Sequence, residues 1–387
     1  MQIPFNKVYF TGNEETYMLE SLHSGKHCGN HSFCNKVINL MKQTHNYNEV
    51  FLTPSGTAAL EMGALLANIC PGDEVILPSY TFSSTVNAIV IFGAVPIFCE
   101  VEKETMNIDT SKIEALITSK TKMIIPIDYA GVSCEIDEIM EIASKHNLIV
   151  MQDCAQSYGT YYKGKACGTQ AHLATFSFHE TKNFNAGEGG ALIVNKPEWE
   201  ERAHFLQEKG TDRRPVLKGV KNKYSWVDKG SSYLLSDILA AMLLAQLEAE
   251  NAMKLVRSNI TSAYIKLFST FKAKGKLSYF KVPEYIELNH HAFWVIFDTQ
   301  ENSETFMNRL REYSIYAYIG YLPLHSAPKG LEYGYKAKDL PITEDLGNRI
   351  VRLPFYTELG ETGLDYCIDS MKLVLSEIYP RDCELMS

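Results

Sequence analysis

No stretch of this 387-residue chain approaches the roughly 18 apolar residues that a membrane-spanning helix needs. Its first residues, MQIPFNKVYF, lack a basic segment followed by an apolar one, so no secretory leader is expected. Positive charge is in deficit. Lys and Arg number 37 against 46 Asp and Glu, for a net charge of −9 and a pI of about 5.7. That balance argues against a general nucleic-acid or anionic-membrane surface, while leaving room for a local anion site. None of the nine cysteines forms a C-x-x-C pair, and no His/Cys cluster has zinc spacing. Free thiols in a reducing cytoplasm are expected, without a structural metal. No G-x-G-x-x-G follows the first strand, which disfavours a nucleotide-binding oxidoreductase. Internal repeats and low-complexity segments are also missing.

What the chain does have is alternation. The β-rich runs EVFLT (49–53), EVILP (74–78), AVPIFCEV (94–101), KMIIPIDYA (122–130) and LIVMQD (148–153) alternate with helical patterns at 57–68, 83–93, 111–118 and 135–147. This predicts βαβ units, hence a mostly parallel sheet with helices on both faces. Ligands of such sheets bind beyond the carboxyl ends of the strands. The candidate positions are therefore around 53–57, 78–82, 153–156 and 177–182. Residues 208–236, rich in Gly, Lys, Arg, Ser and Tyr, read as a long irregular excursion of a kind that is usually functional or interfacial. One long helical pattern follows over 236–268. After it come a strand at 290–297, a helix at 303–314, a strand at 317–323 and a closing helix near 363–378. The expected organisation is a large α/β domain over 1–250 and a smaller α+β domain over 251–387.

The stretch ATFSFHETKNFNAGEGGALIV (174–194) is the most informative. It reads as a strand from Ala174 to Phe178, a tight turn bearing Lys182, a loop with Gly187, Gly189 and Gly190, and a strand from Ala191 to Val194. A buried lysine without a partner is costly. Lys182 is either a surface hairpin lysine or an amine activated by burial to attack an aldehyde, as in enzymes that use pyridoxal phosphate (PLP). Other strand ends carry complementary groups. At Thr53-Pro54-Ser55-Gly56-Thr57 a strand gives way to a helix whose free N–H groups suit a phosphate. Gly56 admits close approach there and Thr57 offers a hydroxyl, although an N-cap by Ser55 or Thr57 explains the same residues. Phe82 either stacks on a planar ring or sits in the core. Asp153 either pairs with a pyridinium nitrogen or caps a helix, and Gln156 either faces the same ligand or completes a capping box. Ser177 offers its hydroxyl to a phosphate or is satisfied within its strand. Taken together these residues are the parts of a PLP site: phosphate cup, ring stacker, pyridinium acid and aldehyde-binding amine. In that reading Lys182 also moves the proton as general base and acid.

The same residues carry a family resemblance. SGTAAL (55–60), PSYTF (78–82), QDCAQSYG (152–159), FSFHETKN (176–183) and GEGGAL (187–192), in this order, closely resemble the sugar-nucleotide aminotransferases of PLP fold type I, the DegT/StrS family. The resemblance spans nearly the whole chain. It implies the fold type I architecture, Lys182 as the covalent anchor of PLP and Asp153 as the pyridinium partner. It further implies Gly56, Thr57, Phe82, Gln156 and Ser177 as cofactor-binding residues. The family's dehydratases carry histidine in place of the lysine, so Lys182 implies transamination.

A narrower similarity lies in SGKHCGN (24–30), ETMNID (104–109), YAGVSCEIDEIM (129–140), EKGTDR (208–213) and KYSWVDKGSSYLLSD (223–237). It is to transaminases that form dTDP-4-amino-4,6-dideoxygalactose from dTDP-4-keto-6-deoxyglucose and glutamate, for surface polysaccharides such as enterobacterial common antigen. It implies those substrates and a cytoplasmic homodimer with shared active sites. Most of the family has an Asn before the 236–250 helix that reaches the partner's phosphate. This chain has Gly230-Ser231-Ser232-Tyr233, and Ser232 is the expected substitute. His179, Lys209, Arg213 and His325 are substrate-binding candidates, each equally explained as a structural histidine or a solvated loop charge. Asn289 and His291 are further candidates. The open alternatives are the 4-amino-glucose epimer, a 3-amino sugar, or a PLP-binding regulator without turnover.

Overall fold

The computed structural model describes residues 1–217, 219–220 and 222–380. Cys383, the tail of the expected small domain and two positions of the expected 208–236 excursion lie outside the described residues. The largest sheet has seven strands, ordered Glu49–Thr53, Gly190–Val194, Leu173–Ser177, Ile149–Asp153, Thr121–Ile124, Glu74–Pro78 and Val95–Cys99. Gly190–Val194 runs antiparallel to both neighbours, and the other pairings are parallel. The runs are apolar at nearly every position because both faces are covered. Alternation along each strand sorts the side chains into two cores. Val50, Leu52, Ile76, Val150, Phe176 and Ile193 join one apolar cluster. Phe51, Val75, Leu77, Met151, Leu173 and Leu192 join the other.

Two expectations change. The connection bearing Lys182 runs over residues 178–189 and is longer than a tight turn. It is braced by Phe178 N–H to Gly189 O and Ala186 N–H to Phe178 O, both 2.8 Å, and by Glu180 N–H to Gly187 O at 3.0 Å. The helical pattern at 236–268 is two helices, Asp237–Glu248 and Glu250–Ala273, parted at Ala249 (φ −94°, ψ 9°). No glycine or proline marks that break, and its cause is tertiary. The first helix packs on Glu14–His23 and Ser32–His45, whereas the second packs on Leu277–Tyr279 and Gly360–Ile378.

A second, antiparallel sheet of four strands has the order Leu277–Tyr279, Trp294–Phe297, Ile350–Arg352 and Tyr318–Ile319. Its strands are shorter than the apolar runs suggest. The run from 290 enters the sheet only at Trp294, after left-handed backbone at His290 (φ 54°). The 208–236 segment folds back on itself through a short helix, Arg213–Leu217, and bridges pairing Glu208 with Ser232 and Thr211 with Trp226. No helix among the described residues is long and apolar enough to cross a membrane.

Candidate active site

A cavity of about 360 Å³ opens at the carboxyl ends of the large-sheet strands. One wall is the start of the helix Gly56–Leu66. Ser55 is extended there, and its Oγ accepts from Ala58 N–H at 3.0 Å, so Ser55 is the N-cap. The preceding N–H groups, of Gly56 and Thr57, have no acceptor within the helix and suit an anion. The Thr57 hydroxyl donates to Ser84 Oγ at 2.7 Å. Ser177, at the end of its own strand, backs directly onto Gly56. A Cβ at Gly56 would stand 2.8 Å from Ser177 Cβ, and one at Gly190 would stand 2.4 Å from Ser55 O. Only glycine lets these chain segments close into a cradle.

The cavity also holds the acid and the amine. Asp153 is 4% exposed. Its Oδ2 accepts from Thr85 Oγ1 at 2.8 Å and its Oδ1 from Ala155 N–H at 3.1 Å. No helix begins at Asp153, so it caps a turn and not the helix envisaged as the alternative. Burial raises its carboxyl pKa, opposed by Thr85, the Ala155 N–H and the charge of Lys182. The Lys182 amine is pulled down to about 8, chiefly by burial, with Arg352 adding to the fall and Asp153 opposing it. It is therefore not a solvated hairpin lysine.

Phe82 is 58% exposed and lines the cavity, its ring 6.0 Å from that of Tyr321, so the core alternative does not hold. Gln156 completes no capping box. Its Oε1 accepts from Ala130 N–H at 2.7 Å, and its Nε2 donates to Tyr321 Oη at 3.1 Å. His179 lies on the rim, with Nδ1 3.0 Å from Thr181 Oγ1 and Nε2 3.6 Å from Glu188 Oε1. His291 reaches the cavity with Nδ1 2.9 Å from Asn183 Oδ1. Burial, then Lys182, Arg257 and Arg352, hold its pKa well below the usual histidine range, so it is neutral.

Five expected residues lie elsewhere. His325 is fully buried, 2.7 Å from Ser79 Oγ, and is not among the residues lining the cavity. Lys209, Arg213 and Ser232 are exposed and away from the cavity. Asn289 is buried behind it, its Nδ2 donating to Gln156 O and Tyr158 O at 2.8 and 2.9 Å. Several lining residues were not anticipated: Thr85, Tyr321, Arg352, and Phe5 and Asn6 from the chain start. Arg352 had a signal, a charge within the apolar run IVRLPF. Phe5 and Asn6 had none, because they arrive through the bridge of Ile3 to Ile315.

The residues present fit PLP. A buried carboxylate suits a ring cation, a wall aromatic is left exposed, a helix start faces the cavity, and a lysine there has its amine near neutrality. This fold with this site defines a PLP-dependent aminotransferase. The chain belongs to the DegT/DnrJ/EryC1/StrS aminotransferase family, whose model matches residues 12–372. It is 31% identical over 379 residues to GDP-perosamine synthase of Escherichia coli O157:H7, covering 97% of this chain and 99% of that one. It is 32% identical over 337 residues to the spore coat polysaccharide biosynthesis protein SpsC of Bacillus subtilis (strain 168), covering 82% and 83%. Its fold is similar to that of the aminotransferase from Psychrobacter cryohalolentis, with a TM-score of 0.89 and 23% identity over 97% of this chain and 100% of that one. The chain is therefore an aminotransferase of this family.

Proposed function

We propose that this protein transfers an amino group from glutamate to C4 of dTDP-4-keto-6-deoxyglucose, giving dTDP-4-amino-4,6-dideoxygalactose for a surface polysaccharide of the enterobacterial common antigen type. The observation that carries the chemistry is the pairing in one cavity of a near-neutral amine, Lys182, with a buried carboxylate, Asp153. Lys182 would hold PLP covalently and Asp153 would hold its ring nitrogen protonated. Gly56, Thr57 and Ser177 would hold its phosphate, with Phe82 over the ring and Gln156 at its edge. When bound, PLP supplies the aldehyde and the electron sink that amino-group exchange needs. The protein supplies position and proton control. Lys182 Nζ, titrating near the working pH, takes the proton from the donor's α-carbon and returns it on the far side of the exchange. The Asp153 carboxylate, fixed by Thr85 and Ala155, offers a negative charge that needs no reorganisation during the reaction.

The choice of sugar rests on the motifs at 24–30, 104–109, 129–140 and 223–237. Motifs and relatives point to different nucleotides, since one relative's name carries GDP. We therefore place a GDP-linked keto sugar as the second reading. A cytoplasmic homodimer is also proposed. Trp226, 82% exposed beside exposed Tyr224 and Val227, gives the 208–236 segment an apolar surface suited to a partner. Ser232, Lys209 and Arg213 on that segment would then reach the partner's cofactor phosphate or the nucleotide. The test is incubation with glutamate and each keto-sugar nucleotide, with NMR of the product. An equatorial H4 on a dTDP sugar supports the proposal. An axial H4, amination at C3, or turnover of the GDP sugar alone selects an alternative.

A further inference from the structure

We infer that Arg352 binds the α-carboxylate of the amino donor. The inference rests on the reading of this cavity as a transamination site. In the strand Ile350–Arg352, Arg352 lies between Trp294 and Tyr318 of the neighbouring strands, and its side chain enters the cavity. The guanidinium carbon stands 5.2 Å from the centre of the Phe5 ring and 5.1 Å from that of Tyr321. Its Nε is buried and has no hydrogen-bond partner. Burial lowers its pKa, but Tyr129, Tyr321 and Tyr80, the second also through a side-chain hydrogen bond, leave it raised, and no carboxylate among the described residues pairs with it. A cation placed this way is incomplete. An incoming anion would supply the full negative charge that the surrounding hydroxyls and rings do not. Contact with two aromatic faces restricts the guanidinium plane, and a restricted fork suits an anion with two coplanar oxygens.

The position of Arg352 selects between the anions that transamination brings. Arg352 is near enough to Lys182 for its charge to be felt at the amine. The α-carboxylate of an amino donor is bonded to the carbon whose proton Lys182 moves, so it lies within reach of both groups. The diphosphate of a nucleotide sugar hangs on C1, several bonds from the reacting ketone, and belongs nearer the mouth. A keto sugar has no charge beside its reacting carbon. Arg352 therefore serves the donor half of the reaction and is idle in the other half.

The test compares wild-type holoenzyme with Arg352→Gln and Arg352→Lys. The donor half-reaction is followed by the change in cofactor absorbance, with L-glutamate and with its α-amide. The KM for the keto-sugar nucleotide is measured at saturating glutamate, and thermal unfolding confirms that each variant is folded. Arg352→Gln is expected to weaken glutamate binding about 100-fold, to abolish the preference for glutamate over the α-amide, and to leave the sugar-nucleotide KM within about threefold. Arg352→Lys recovers part of the loss. A folded Arg352→Gln enzyme with unchanged glutamate affinity overturns the inference, and so does one whose sugar-nucleotide KM rises instead, which would put the cation on phosphate. Wild-type holoenzyme that fails to react with glutamate overturns the transamination reading itself, a separate result.

Discussion

The Thr85 hydroxyl donates to Asp153 Oδ2 across 2.8 Å, both residues lining the cavity. Burial raises the Asp153 pKa, and Thr85 is the foremost group opposing it. Thr85→Val keeps the shape and removes the donor. A hydrogen bond to a charged group contributes about 1.5–3 kcal/mol, so PLP affinity should fall about 10- to 100-fold. Fluorescence titration of the apoenzyme reads this directly. Unchanged affinity would mean that Asp153 stays ionised without Thr85.

Gly56 is predicted to tolerate no side chain. The methyl of Gly56→Ala would meet Ser177 Cβ at 2.8 Å, so the cradle must open. PLP affinity should drop more than about tenfold while the protein stays folded, because a few tenths of an ångström at a preorganised site is costly. Adding Ser177→Gly removes the clashing atom and should recover part of the loss. No recovery would place the clash elsewhere.

The pH dependence of cofactor capture follows from the amine. Lys182 titrates at about 8, and only the uncharged amine attacks an aldehyde, so it is present above that pH. Capture of PLP by apoenzyme, trapped with borohydride, should rise with pH through about 8 and then level off. Asp153 holds the amine pKa up and Arg352 holds it down. Asp153→Asn should therefore move the midpoint to lower pH and Arg352→Gln to higher pH. A wild-type midpoint near 10.5 would describe an exposed lysine.

His325 is predicted to matter for stability and not for chemistry. It is fully buried with its ring Nδ1 2.7 Å from Ser79 Oγ, and its backbone N–H donates to the same oxygen at 3.0 Å. His325→Ala should cost about 2–3 kcal/mol by leaving buried polar groups unpaired. Urea unfolding would show the loss, while kcat/KM of the folded fraction stays within about twofold of wild type. A large fall in kcat/KM with unchanged stability would return His325 to the site.

The strands that build the site are legible because a strand buried on both faces is apolar at nearly every position, as EVILP and LIVMQD are. Their ends therefore locate Gly56, Phe82, Asp153, Ser177 and Lys182 without any knowledge of pairing. Arg352 and Tyr321 are not legible in that way. Arg352 comes from the second sheet and Tyr321 from the chain just beyond its Tyr318–Ile319 strand, and only tertiary contacts such as Tyr321 N–H to Tyr80 Oη at 3.0 Å bring them over the strand ends. Thr85 is hidden for another reason: a hydroxyl in the first turn of a helix usually serves the helix itself, and here it serves a distant carboxylate. The helix break at Ala249 escapes because composition favours helix on both sides, and separate packing partners part them.

The most direct test of the account is the identity of the lysine that holds PLP. Purified holoenzyme is reduced with borohydride, digested and analysed by mass spectrometry, in parallel with Lys182→Ala. The account predicts a pyridoxyl mass on the peptide containing Lys182, and neither that mass nor the yellow absorbance band in the variant. A pyridoxyl group on another lysine, or a normal band in Lys182→Ala, would contradict it.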